Sequence, residues 1–205
     1  MVNVSDSIEV SALFPSIVVR TICEDFSSIQ DDIIDWCYSV KENNPGRKVS
    51  NKGGWQSIAY LEGEENSKVK DYLLGKIAES LQQLLSPEKC QGFRVSSVWI
   101  NINGKNAYNE MHDHPNCNLS GVFWIKTPKD SGRFTFENPN AFAQSYVIDG
   151  TLDEVQQTFN NQSKLSYDPL EGHIIIFPSN LRHSVEVNQS DEDRISISFN
   201  IRIER

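Results

Sequence analysis

Two stretches near the start of the chain repeat apolar residues at helical spacing, and from residue 92 onward the repeat shortens to every second residue. Phe26, Ile29, Ile33, Trp36 and Val40 are separated by 3, 4, 3 and 4 positions, which gathers them on one face of a helix. Ser28 with Asp31 three residues on is a start signal, and Asn43-Asn44-Pro45-Gly46 is a stop. Val69, Leu73, Ile77, Leu81 and Leu84 form a second stripe, closed by Ser86-Pro87. Both are predicted to be helices that cover a core, and neither needs a cofactor or a partner.

The second part reads as strands. Val98, Ile100 and Ile102 alternate with Trp99, Asn101 and Asn103. Further strands are predicted over Leu119–Ile125, Gly132–Phe136, His173–Phe177 and Ser184–Val187, with Gly, Pro, Asn and Asp between them. The last segment, Arg194–Ile203, puts Ile195, Ile197, Phe199, Ile201 and Ile203 on one face. Arg194, Ser196, Ser198, Asn200 and Arg202 take the other. Helices first and many short strands later predict a mainly β chain with α: a jelly roll whose larger sheet carries the helices on its outer face. In that arrangement the apolar face of the last strand packs under the helices and its polar face lines the barrel mouth, where ligands sit. The expected organisation is one domain over 1–205, with an N-terminal strand and helical layer in 1–91 and the jelly-roll core in 92–205. Ala141–Lys164, rich in Asn, Gln and Thr, is expected to be a long excursion between strands, of the kind that forms lids or binding loops.

Composition narrows the function. With 205 residues, 38% hydrophobic and 23% charged, the chain can bury a core. Its net charge of −9 argues against nucleic acid or an anionic membrane surface as partner, because both select clustered positive charge. A small-molecule or peptide partner is expected, and a homodimer is allowed for. Cys23, Cys37, Cys90 and Cys117 show no CxxC pairing, and MVNVSDSIEV has neither a basic nor an apolar leader region. A reduced, cytoplasmic protein is expected.

The four histidines hold the candidate chemistry. In His112-Asp113-His114-Pro115 an extended backbone puts the two imidazoles on one face, about 6–7 Å apart at their Cα atoms, with Asp113 pointing away. Such a pair can converge on a metal. His183 follows 71 residues after His112, Arg194 eleven residues after that, and Ser196 next on the same face. His173, at the start of a strand, has no partner in this pattern and is read as structural.

In order and spacing, these residues resemble the iron(II)- and 2-oxoglutarate-dependent oxygenases of the double-stranded β-helix (cupin-like) fold, and in particular a small bacterial and phage branch close to prolyl hydroxylases. The resemblance rests on Phe14-Pro15, on Gly54-Trp55-Gln56-Ser57 and on nearly everything from Trp99 to Ile203. Its most telling stretches are His112-Asp113-His114-Pro115, Leu119-Ser120-Gly121-Val122-Phe123-Trp124, Phe136-Glu137-Asn138-Pro139, Phe177-Pro178-Ser179 and Arg194-Ile195-Ser196-Ile197-Ser198-Phe199. The family pattern is His-x-Asp/Glu, a distal His, then an Arg about ten residues beyond, and this chain departs from it with His at 114. The resemblance implies Fe(II) held by His112, His114 and His183, with Asp113 as the alternative third ligand if a bulge turns it inward, or a two-His site. It implies 2-oxoglutarate held by Arg194 and Ser196, with Asn101 a further hydrogen-bonding candidate. Arg supplies a planar bidentate contact to a carboxylate, as the far end of that cosubstrate needs.

The implied activity couples oxidation of 2-oxoglutarate to succinate and CO₂ with hydroxylation of a peptide, amino-acid or small-molecule substrate. Two other readings stay open at this point: a three-His metal dioxygenase independent of 2-oxoglutarate, and a non-catalytic jelly-roll binding module. Trp124 is read as a core residue, and Tyr108 and Glu110 as weak candidates for substrate contact in the loop before His112.

Overall fold

A computed structural model describes residues 10–58 and 67–204. The reading of the N-terminal leader falls on residues 1–9, outside the described residues. In chain order the elements are β1 (Val19–Ile22), a 3-10 turn (Phe26–Ser28), α1 (Gln30–Asn43), β2 (Asn51–Lys52), β3 (Trp55–Gln56) and α2 (Ser67–Gln82). There follow β4 (Gly92–Asn103), β5 (Tyr108–His112), β6 (Leu119–Lys126), β7 (Phe134–Glu137), α3 (Ala141–Gly150) and α4 (Asp153–Phe159). The chain closes with β8 (Lys164–Tyr167), β9 (His173–Pro178), β10 (His183–Val185) and β11 (Arg194–Glu204).

Strands β1-β9-β6-β11-β4-β3 make one antiparallel sheet and β2-β5-β10-β7-β8 the other. This is the two-sheet jelly roll expected from the alternation. Strand β9 of the larger sheet is apolar on both faces, so it is buried twice over. Ile174 and Ile176 of β9 face outward to the helices, and Ile175 and Phe177 face inward. That double burial explains why β9 reads as an unbroken apolar run rather than an alternation.

On the outer face Ile33, Cys37 and Val40 of α1 and Leu73, Ile77 and Leu81 of α2 pack on Ile100, Phe123, Ile197 and Phe199 of the sheet. Gly121 makes the close approach of β6 to β11 feasible, since a Cβ there would collide with the Phe199 ring and come within 2.8 Å of the Ile175 carbonyl. Between the sheets a smaller cluster gathers Val122, Trp124, Phe134, Phe136, Ile175, Phe177 and Leu181. A cavity lies beside this cluster.

Three local expectations change. Ser28 does not cap α1: its hydroxyl donates to the Asp25 carbonyl at 2.7 Å and the chain enters through the 3-10 turn, with Ile29 at the N-cap. The excursion after residue 140 folds as two helices, α3 and α4, rather than as open loop. Tyr108 and Glu110 lie in β5 and not in a loop. Among the described residues no helix is long and apolar enough to cross a membrane.

Candidate metal and cosubstrate site

The antiparallel register of β5 and β10 sets His112 directly across from His183. Their ring centroids are 4.3 Å apart. His114 lies two residues beyond the end of β5, and its backbone N–H donates to the Ser179 carbonyl at 2.8 Å. Ser179 in turn donates its hydroxyl to the Cys117 carbonyl at 2.6 Å and its N–H to the Asn118 carbonyl at 3.1 Å. The Phe177-Pro178-Ser179 stretch thus clamps the turn after β5 and brings His114 to 5.0 Å from His112 and 5.2 Å from His183, ring to ring.

One nitrogen from each of the three rings lies within 4.8 Å of the others. For two of them the tautomer is fixed. His112 Nδ1 meets the Glu110 carbonyl at 2.7 Å and His183 Nδ1 the Leu181 carbonyl at 3.0 Å. A carbonyl only accepts, so each Nδ1 carries the proton and each Nε2 keeps its lone pair for a cation. Burial holds all three imidazoles neutral. It lowers His112 below the ordinary histidine value, takes His114 to about 4 with help from the neighbouring His112, and takes His183 to about 3. Neutral imidazoles with free lone pairs are the ligand form a transition metal needs. Asp113 is exposed and stays outside this cluster.

The histidines border a cavity of about 340 Å³ between the sheets. Its far wall is the polar face of β11: Arg194, Ser196, Ser198 and Asn200 all line it, joined by Trp99 and Asn101 of β4. This is the face that alternation assigned to the barrel mouth. Arg194 is only 3% exposed. Its Nη1 donates to the Ser131 and Glu186 carbonyls, the latter at 3.2 Å, and its Nη2 has no partner. Burial lowers its pKa to about 10, so it remains a cation at neutral pH.

No carboxylate pairs with Arg194 among the described residues. A buried, half-satisfied guanidinium is costly, and an anion supplied from outside would offset that cost. The neighbouring acidic residues are engaged elsewhere: Asp191 bonds Lys105, Glu192 pairs with Lys126, and Asp193 accepts from Tyr38. Asn101 donates from Nδ2 to Ser198 Oγ at 3.1 Å while its buried Oδ1 has no partner. Two orphaned polar atoms on one cavity wall fit a polar ligand better than they fit an interior that is complete by itself.

Trp124 is buried as a core residue and also borders the cavity. Glu110 lines it too and pairs with Lys52 at 3.0 Å. Tyr108 faces a separate groove. His173 sits at the β1 edge opposite Ile22, away from the cluster. Sequence reasoning did not find Arg47, Ser50 and Gln56, which also line the cavity. Ser50 Oγ lies 3.5 Å from His112 Nε2.

Residues 97–200 match a family model described as "Putative 2OG-Fe(II) oxygenase". A search of curated proteins finds no match. Similar solved structures include a prolyl-4-hydroxylase from Pseudomonas putida, at 13% identity, TM-score 0.60 and 92% coverage of both chains. Another is a viral collagen prolyl hydroxylase from Paramecium Bursaria Chlorella virus-1 in complex with 2OG, at 15% identity and TM-score 0.59, covering 92% of this chain and 96% of that one. A third is HygX from Streptomyces hygroscopicus with nickel, 2-oxoglutarate and hygromycin B bound, at 10% identity and TM-score 0.54, covering 90% and 82%. At these identities the likeness establishes the double-stranded β-helix fold.

Proposed function

The chain belongs to the 2OG-Fe(II) oxygenase family, an enzyme family that uses Fe(II) and 2-oxoglutarate, and from this premise we propose that His112, His114 and His183 hold the iron while Arg194 and Ser196 hold the cosubstrate, with Asn101 turned to the substrate instead. The bound iron would supply the oxidising chemistry. The protein's own part is to present neutral imidazoles and a fixed cation in a closed space.

The observation that carries the cosubstrate assignment is Arg194 Nη2: buried, charged and without a partner, on a wall shared with the histidines. A terminal carboxylate would accept from it and from the Ser196 hydroxyl. Asn101 Oδ1 only accepts, so it would take a hydrogen bond from a substrate hydroxyl, amine or water rather than from a carboxylate. The same observation speaks against the reading without 2-oxoglutarate, which gives Arg194 nothing to bind.

His114 in place of a carboxylate leaves the metal centre one charge more positive than a two-His-one-carboxylate site. Its support is the pinned backbone turn, which brings the ring to the other two histidines while Asp113 stays exposed. One oxygenase domain over 1–205 is part of the proposal, since α1 and α2 share one core with β4, β6, β9 and β11. The substrate is a small molecule or a peptide. The neighbours fit both: one is HygX with hygromycin B bound, and another is a prolyl hydroxylase from Trichoplax adhaerens in complex with a peptide fragment. A reducing, cytoplasmic setting suits the four free cysteines.

Anaerobic titration with Fe(II), then with 2-oxoglutarate, tests the assignment. One iron per chain is expected, followed by one 2-oxoglutarate. His183→Ala is expected to lower iron affinity at least 100-fold. Stoichiometric iron binding that survives His183→Ala would refute the three-histidine site.

A further inference from the structure

Building on that site, we infer that the substrate is a small zwitterion of the α-amino acid type, its carboxylate taken by Arg47 and its ammonium by Asp113. Four charged residues line the cavity: Arg47, Glu110, Asp113 and Arg194. Two of them are accounted for. Glu110 is neutralised by Lys52, and Arg194, at the buried end, is the anchor for the cosubstrate. The remaining two have opposite signs, and neither forms a hydrogen bond or an ion pair from its side chain, with each other or with any other described residue. Both are exposed, so they sit at the open end of the cavity, where a substrate enters.

Arg47 is held there by its backbone rather than by its charge. Its N–H donates to the Gln56 carbonyl at 2.8 Å and its carbonyl accepts from Asn51 Nδ2 at 3.1 Å. The residue before it, Gly46, has φ +71° and packs so closely that a Cβ would lie 2.5 Å from Trp55 Nε1. This fixes where the guanidinium stem leaves the fold while leaving the guanidinium free for a ligand. Asp113 is fixed in the same way from the other side, between His112 in β5 and His114, whose N–H is bonded to Ser179.

One unpaired cation and one unpaired anion lining the same cavity complement a ligand that carries both charges and no net charge. A cavity of about 340 Å³ that must also admit 2-oxoglutarate leaves room for a small molecule.

The test uses protein loaded with Ni(II) and 2-oxoglutarate, with the twenty L-amino acids as probes in calorimetric titrations. Each binder is compared with its decarboxylated amine and with its deaminated acid. At least one amino acid is expected to bind, and both truncated analogues to bind at least 10-fold more weakly. Arg47→Gln is expected to weaken the amino acid at least 10-fold. Asp113→Asn is expected to remove the preference over the deaminated acid. Ni(II) and 2-oxoglutarate affinities, measured on each variant, should stay within about 2-fold of the parent. If Ni(II) and 2-oxoglutarate bind and all twenty amino acids are silent, the zwitterion proposal is overturned and the oxygenase site stands. An amino acid that binds Arg47→Gln as tightly as the parent overturns it equally. If Ni(II) or 2-oxoglutarate fails to bind, the site assignment falls and takes this inference with it.

Discussion

The two faces of β11 share one backbone and do opposite work. Outward, Ile195, Ile197, Phe199 and Ile201 are fully buried against the helices and bring no polar atom that needs a partner. Inward, Arg194, Ser196, Ser198 and Asn200 line the cavity, with Arg194 Nη2 left unpaired and Asn101 Oδ1 unpaired on the adjacent strand. The outer face is complete without a ligand and the inner face is not. A fold that tolerates buried, unsatisfied groups on one side of a strand relies on the dry core of the other side to do so.

Substitutions on the two faces should therefore separate stability from binding. The largest effect is expected for Phe199→Ala, which empties the centre of the outer core and should cost about 3–5 kcal/mol in chemical denaturation. Arg194→Met comes next. It should weaken 2-oxoglutarate about 100-fold by calorimetry, equivalent to about 2.7 kcal/mol. Its stability should change by no more than about 1–2 kcal/mol, because relief of a buried charge offsets the bonds lost to the Ser131 and Glu186 carbonyls. If Arg194→Met destabilised the protein as much as Phe199→Ala, Arg194 would be a structural plug rather than an anchor. Gly121→Ala, which pushes a methyl into Phe199 from β6, is expected to cost about 1–3 kcal/mol while leaving 2-oxoglutarate affinity unchanged.

What was legible in the sequence follows the same division. The outer face could be read in full, because burial against helices imposes a period of two on β11 and of 3.6 on α1 and α2. The inner wall of β11 came with it, since alternation fixes one face once the other is known. The choice between His114 and Asp113 could not be read locally. The place of the His114 ring beside the other two depends on the hydrogen bond from His114 N–H to Ser179, a contact made 65 residues away. Helices α3 and α4 were hidden for another reason. Ile148 is the only residue of α3 with a buried side chain among those described, so the segment shows no stripe. Strands β2 and β3 have two residues each, too few to show any period. Arg47 gives no signal of its own, because its place at the rim follows from the pairing of its backbone with Gln56.

The last contrast is a pH dependence that only the inner face should show. Burial depresses His112, His114 and His183, the last two to about 4 and about 3, from an unfolded value near 6.5. Below pH 6.5 the unfolded chain takes up protons that the folded site refuses, so stability is complete above that pH and is lost as the pH falls toward the folded values. Metal-free protein should therefore melt at a lower temperature at pH 5 than at pH 7. His173, also lowered by burial and by Arg20, acts in the same window, so the diagnostic quantity is a difference between variants. His183→Asn should flatten the slope between pH 7 and 5, whereas Phe199→Ala should lower the melting temperature at both pH values and keep the parent's slope. Equal slopes in the parent and His183→Asn would mean that the buried cluster does not set the acid sensitivity of the fold.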